Sequence, residues 1–182
     1  DPLEMRDTTF YPNEYQASRI AHSYKRDDAG ELEKADLFFL AGKSLSDRSR
    51  YPMANGGLFS TAGYYSKFAR MILRGGELDG KRLLKPATVK WMTGVQTGDL
   101  AAGFVPGSAW GLGWSVTNNP QGVTQALSPG SFGHGGLFGT QAWIDLVKKR
   151  TYILMIQRAN FTNQGGSDGS DIRRAFQNAA AK

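Results

Sequence analysis

Nothing constrains this chain more than the run Phe132-Gly133-His134-Gly135-Gly136-Leu137-Phe138-Gly139-Thr140, which leads into Gln141-Ala142-Trp143-Ile144-Asp145. Glycines let a neighbouring layer or a ligand approach the peptide backbone closely, and they accept dihedrals that a side chain forbids. In this stretch the backbone itself is the working surface. The lone His supplies a proton donor or a charge that titrates near neutral pH. Glycine is also heavy in the whole chain, at 23 of 182 residues, against roughly 7% in an average protein. The glycines keep no fixed period, which excludes collagen and repeat arrays.

The hydrophobic pattern around this run is that of one packed domain. Apolar residues make up 40% of the chain and aromatics 12%, enough for a globular core. Residues 1–55 read as loops with one or two short helices, one of them a helical turn or two over residues 11–22. From Ser60 the pattern sharpens. Ser60 or Thr61 can cap a helix whose apolar face is Tyr65, Phe68, Ala69, Ile72 and Leu73, and Gly75-Gly76 ends it. A short extended stretch or turn over residues 77–82 leads to a second helix, with Pro86 in its first turn, Val89 and Met92 on its apolar face and Gly94 after its end.

The period then changes to two. Trp110, Leu112, Trp114 and Val116 alternate with Gly111, Gly113 and Ser115, which predicts a single strand with one glycine face. A turn over residues 118–122 precedes the His-glycine segment. Residues 140–146 read as a strand, Lys148-Lys149-Arg150 as a hairpin turn and residues 151–159 as a further strand. The unbroken apolar run Tyr152-Ile153-Leu154-Met155-Ile156 predicts burial on both of its faces. After a polar loop, Ser170 is expected to cap a terminal helix with the stripe Ile172, Phe176 and Ala179. The expected fold is α/β of the α+β type: antiparallel strands covered by a C-terminal helix, beside part of a helical sub-domain. The change of period near residues 101–107 places residues 1–105 in the helical part and residues 106–182 in the sheet part.

Charge and composition narrow the functions. The net charge of +6 would suit a polyanion partner, but the basic residues are scattered and carry no nucleic-acid motif, so no nucleic-acid partner is expected. A basic domain binding polyanions is the weakest reading kept, and salt-dependent binding would be its signature. Cysteine is absent, which excludes disulfides and thiolate metal sites. No apolar run approaches the ~20 residues of a membrane span. The first residues carry no signal-peptide pattern and no initiator Met, so the chain is expected to start within a longer protein. Gly42-Lys43-Ser44 lacks the upstream glycine of a phosphate loop, since Leu37 stands there. His22 and His134 are the only histidines, no carboxylate stands at ligand spacing from either, and no metal or cofactor is implied. His22 reads as an exposed residue of a polar helix.

A serine nucleophile needs an activating partner. No Gly-x-Ser-x-Gly elbow is present; Gly130-Ser131-Phe132-Gly133 has the wrong spacing. Ser-x-x-Lys does not occur in the 182 residues. Tyr11-Pro12-Asn13 has the letters of a Tyr-x-Asn element but reads as a turn.

Five segments, taken in order, nevertheless resemble the C-terminal half of the serine β-lactamase and penicillin-binding-protein superfamily, in its class C-like branch. They are Asp1-Pro2-Leu3-Glu4-Met5-Arg6-Asp7-Thr8-Thr9-Phe10, Asn55-Gly56-Gly57-Leu58-Phe59-Ser60-Thr61-Ala62, Gly75-Gly76-Glu77-Leu78-Asp79-Gly80-Lys81-Arg82-Leu83-Leu84, Trp110-Gly111-Leu112-Gly113-Trp114 and Gly133-His134-Gly135-Gly136. Any one of them is weak, and the ordered set is strong. The branch includes β-lactamases, D-alanyl-D-alanine carboxypeptidases and esterases. Its members use a Ser-x-x-Lys nucleophile, a Tyr-x-Asn or Ser-x-Asn element and a Lys-Thr-Gly-type strand.

The resemblance implies that His134-Gly135-Gly136 is the third of these elements. His134 would face the substrate, Gly135 and Gly136 would line it, and the Leu137 N–H would be one oxyanion donor. The other donor would come from the nucleophilic Ser, which this chain lacks. The first two motifs precede the Asp-Pro-Leu segment in this family, so the resemblance implies a missing N-terminal half as partner. A small-molecule or cell-wall peptide substrate is implied, and a periplasmic or secreted bacterial location rather than a cytoplasmic one. His stands where the family often has Lys, and His is mostly neutral at pH 7; this shifts the expected activity towards carboxypeptidase or esterase. Without the first sheet strands, the 152–156 strand is expected to leave an unpaired edge, and this chain alone is expected to be inactive. The rival reading is a non-catalytic penicillin-binding-protein-like binding module that kept the cleft.

Overall fold

Short pieces tied by side chains make up the first third of the chain. The computed structural model describes residues 2–100, 107–158 and 168–182. Asn13 caps helix α1 (Glu14–Ala17) by accepting the Gln16 N–H at 2.8 Å, while the Gln16 side chain accepts the Asn13 N–H at 3.0 Å. Tyr11 donates its hydroxyl to the Arg50 carbonyl at 2.8 Å, and Tyr11-Pro12-Asn13 forms a bend that leads into the Asn13 cap. The helix expected over residues 11–22 shrinks to this one turn, because the chain leaves it to bond elsewhere: the Tyr24 N–H reaches the Gln157 carbonyl at 3.0 Å. His22 is exposed but lies in coil rather than in a helix. An unforeseen hairpin follows, β1 (Tyr24–Arg26) with β2 (Leu32–Lys34), then a single 3-10 turn at Phe38–Leu40. No strand leads directly into Gly42-Lys43-Ser44, and Lys43 donates to the Ser49 hydroxyl at 2.8 Å, which agrees with discarding a phosphate loop.

Helix α2 (Ala62–Leu73) starts where expected. Thr61 is extended, and its hydroxyl accepts the Tyr64 N–H at 3.2 Å, supplying one of the partners that the first turn of a helix lacks. Ala69, Met71 and Ile72 are buried from it. The helix stops at Gly75 and Gly76, with φ of +70° and +96°. A Cβ on Gly76 would lie 2.3 Å from the Leu84 carbonyl oxygen, so the entry into β3 (Glu77–Leu78) and β4 (Lys81–Arg82) requires glycine. Helix α3 (Pro86–Thr93) follows, with Pro86 in its first turn and Gly94 at its end.

The main sheet has five antiparallel strands in chain order: β5 (Ser108–Trp110), β6 (Ser115–Thr117), β7 (Phe132–Gly135), β8 (Gln141–Asp145) and β9 (Arg150–Leu154). The strand expected over residues 110–116 is in fact the hairpin between β5 and β6, with Trp110 opposite Ser115. Gly113 turns the chain at φ +78°. Gly111 lies so close to the end of α3 that a Cβ would sit 2.4 Å from the Met92 carbonyl oxygen. The alternation was real as text, but its small positions form the turn rather than a flat face.

The sheet lies between helices. Phe132, opposite Ile144, joins Trp114, Val116, Ala69, Ile72 and Val89 in one core beneath α2. Trp143 and Tyr152, paired across β8 and β9, join Leu127, Phe176 and Ala180 in a second core beneath α4 (Asp168–Ala180). α4 begins before Ser170, so Ser170 does not cap it. The expected stripe on α4 is also rotated: Ile172 is 41% exposed and Ala179 is exposed, while Arg173, Phe176, Gln177 and Ala180 face inward at i, i+3, i+4 and i+7. Two of those four positions are polar, which hid the true face from an apolar count.

β9 meets its expectation in its first residues and departs from it at Met155. Tyr152 is buried, but Met155 is 42% exposed and the residues between are only half-buried. The strand is the last of the sheet, with β8 on one side and no further described strand on the other. Among the described residues β9 therefore has an unpaired edge, and its two faces are both packed, Tyr152 in the core beneath α4 and Ile153 against the core beneath α2, while Met155 beyond them is exposed. Asp145 at the end of β8 is fully buried and accepts the N–H groups of Ser128 and Lys148, each at 2.9 Å. Burial alone would raise its pKa, but these backbone donors outweigh it and hold the carboxyl below its ordinary value. Of the region expected to divide the chain, residues 101–106 lie outside the described part, as does most of the polar loop before α4.

Candidate functional site

The site is built at the end of β7. Phe132 points into the core beneath α2, so by alternation His134 emerges on the α2 side and Gly133 and Gly135 on the α4 side. His134 is exposed, and its ring lies 5.2 Å from the ring of Trp110. Its Nδ1 stands 2.5 Å from the Gly135 carbonyl oxygen. A carbonyl can only accept, so Nδ1 carries the hydrogen and, in the neutral ring, Nε2 presents its lone pair outward.

On the opposite face each glycine makes room for something specific. A Cβ on Gly133 would collide with the Ala142 carbonyl oxygen and lie 2.8 Å from both the Cα and the ring of Trp143. A Cβ on Gly135 would stand 3.2 Å from the Arg173 guanidinium. These small positions seat the strand against β8 and let a side chain of α4 pass beside it.

Beyond β7 the chain closes a tight turn. The Gly136 N–H donates to the Thr140 carbonyl at 2.6 Å and the Gly139 N–H to the Gly136 carbonyl at 3.1 Å, with Gly139 at φ +91°. Leu137, at the tip, is 64% exposed, and no described residue accepts a hydrogen bond from its N–H. Phe138 is held on the near side by Phe38, stacked at 6.4 Å, and by Phe39, edge-on at 6.3 Å. His134, Gly135, Gly136 and Leu137 thus occupy one strand end and the turn that continues it.

Arg173 is the residue that sequence reasoning missed. Its Nε donates to the Gly139 carbonyl at 3.1 Å, and its Nη2 donates to Gly136 at 2.5 Å and to Thr140 at 3.2 Å. Its own carbonyl accepts from the Gln141 side chain at 3.3 Å, which ties α4 to β8. Burial draws its pKa below the ordinary guanidinium value, yet a guanidinium stays cationic at neutral pH. These three partners are carbonyl oxygens, which every residue carries, so no residue pattern announced them. The spacing of Arg173 to Phe176, Gln177 and Ala180 was the one available signal. Among the described residues, no three His, Asp or Glu side chains gather to hold a metal ion, and no helix is long and apolar enough to cross a membrane.

The antiparallel sheet between helices is that of the β-lactamase/transpeptidase-like fold. The Beta-lactamase family profile matches residues 1–177, and the chain belongs to that family. Over 149 residues it is 36% identical to an uncharacterized protein of Mycobacterium tuberculosis, covering 78% of this chain and 35% of the relative. Among solved structures it matches EstCE1, described as a hydrolase with promiscuous acyltransferase activity, with a TM-score of 0.76 at 23% identity, over all of this chain and 48% of that one. A penicillin-binding protein homologue of Caulobacter crescentus matches with a TM-score of 0.61 at 20% identity, over all of this chain and 50% of that one. The chain therefore spans about a third of that relative and about half of those solved chains.

Proposed function

We propose that residues 1–182 form the His-Gly-Gly half of a serine acyl-transfer site whose Ser-x-x-Lys nucleophile lies outside them. The observation that carries this reading is the exposed His134 beside a Leu137 N–H that donates to no described residue. In the reaction the serine oxygen attacks the acyl carbonyl carbon. The carbonyl oxygen becomes an oxyanion between the Leu137 N–H and the N–H of the serine, and the leaving group departs with a proton. Water then attacks the acyl-serine and releases the acid. Removing one oxyanion donor of this kind costs roughly 2.7–4 kcal/mol of transition-state stabilisation in a comparable hydrolase. In this reading His134 binds an anionic group of the substrate or carries the proton through Nε2. The substrate class is an ester, a D-Ala–D-Ala peptide or a β-lactam, with His134 in place of Lys favouring the first two.

The full-length polypeptide that carries these residues is the species to assay, with a p-nitrophenyl ester, a D-Ala–D-Ala peptide and a cephalosporin. The expected result is an initial burst from acyl-enzyme formation on at least one of the three. Absence of turnover and of burst on all three would contradict the proposal.

A further inference from the structure

We infer that Arg173 is a positioning residue for acyl transfer: through the Gly136 carbonyl it aims and polarises the peptide N–H of Leu137. The inference rests on Leu137 being an oxyanion donor, and its geometric part stands on the clamp alone.

The Gly136 carbonyl and the Leu137 N–H belong to one peptide group. That group is planar and trans, so its C=O and N–H point in opposite directions. A donor that fixes the carbonyl therefore fixes where the N–H points. Arg173 Nη2 makes that bond at 2.5 Å, and the same guanidinium holds the Gly139 and Thr140 carbonyls that close the turn. With the carbonyls of residues 136, 139 and 140 drawn towards α4, the Leu137 N–H is left facing away from the guanidinium.

The charge adds to the geometry. Hydrogen bonds in series polarise one another, and a bond from a cation is stronger than one from a neutral donor. A positive charge on the Gly136 oxygen draws electrons from the peptide nitrogen and makes the Leu137 N–H a better donor. The route to this contact is also built in. Gly135 leaves room for the guanidinium to pass, and Gln141 anchors the α4 backbone at Arg173 itself. Methionine could fill the space of the side chain but could hold no carbonyl, and lysine offers one charged head in place of a planar fork.

Arg173→Met and Arg173→Lys, made in the full-length polypeptide, test this with two readouts. The first is the rate of acyl-enzyme formation, read as a kcat and KM split on the ester and as the labelling rate with a fluorophosphonate. The second is the 13C shift of the Gly136 carbonyl together with the 15N shift of the Leu137 amide, with the amides of Val116 and Ile144 as reference. Arg173→Met is expected to lower kcat and the labelling rate at least tenfold with KM little changed, and to move the Gly136 and Leu137 resonances while Val116 and Ile144 stay in place. Arg173→Lys should recover part of both effects; it also serves as the deciding variant if Arg173→Met does not fold. Wild-type rates in a variant whose resonances have moved would overturn the positioning role. A lowered rate with unmoved resonances would overturn it as well, since the effect would then not run through this peptide. A wild-type protein that neither turns over nor labels overturns the proposed function and this catalytic role with it; the resonances then decide whether the clamp itself exists.

Discussion

Gly133→Ala is expected to cost about 3 kcal/mol or more of folding stability, at the top of the range for overpacking a well-filled site. The new methyl group would meet the Ala142 carbonyl oxygen and the Cα of Trp143, both backbone atoms of the paired strand, along with the Trp143 ring. None of these can rotate aside. β7 lies between β6 and β8, so it cannot retreat without giving up ladder hydrogen bonds on one flank. Gly130→Ala is the natural comparison. Gly130 has a φ of +82° but nothing within 4 Å of an added Cβ, so the substitution costs only the backbone penalty of about 1–2 kcal/mol. Urea unfolding of both variants, with unchanged m-values, gives the comparison directly. Equal losses would mean that the close seating of β7 on β8 is wrong.

His134→Ala should lower kcat/KM by about 10²-fold or more, the usual worth of a positioned proton carrier. Stability should hardly change, because the ring is exposed and its one recorded hydrogen bond is to the adjacent carbonyl. Loss in kcat would assign the ring to proton transfer. Loss confined to KM would assign it to holding an anionic group of the substrate. A variant with both constants unchanged would remove His134 from the site.

The sequence was most legible where a single local force decides the structure. Thr61 caps α2, Gly75 and Gly76 stop it, and Pro86 begins α3, because caps, left-handed dihedrals and a missing N–H act within a few residues. The His-Gly-Gly strand was legible through the ordered resemblance, and its glycines divide between close packing at Gly133 and Gly135 and the turn at Gly136 and Gly139. The errors have equally definite causes. Alternation from Trp110 to Val116 looks the same whether Gly113 sits in a strand or turns the chain at positive φ. The apolar run at Tyr152 said that the strand packs well, but not that it ends the sheet. On α4 the inward positions include Arg173 and Gln177, so choosing the apolar stripe rotated the helix away from its contacts. Arg173 itself was invisible because it binds carbonyls contributed by the fold.

The most direct test of the account is peptide mapping of the full-length polypeptide after reaction with a fluorophosphonate serine probe. One adduct is expected, on the Ser of a Ser-x-x-Lys element outside residues 1–182, and its rate of formation should fall in the Arg173→Met variant. An adduct on any serine within residues 1–182 would contradict it, because the nucleophile would then lie in the half that is assigned only the oxyanion turn and His134.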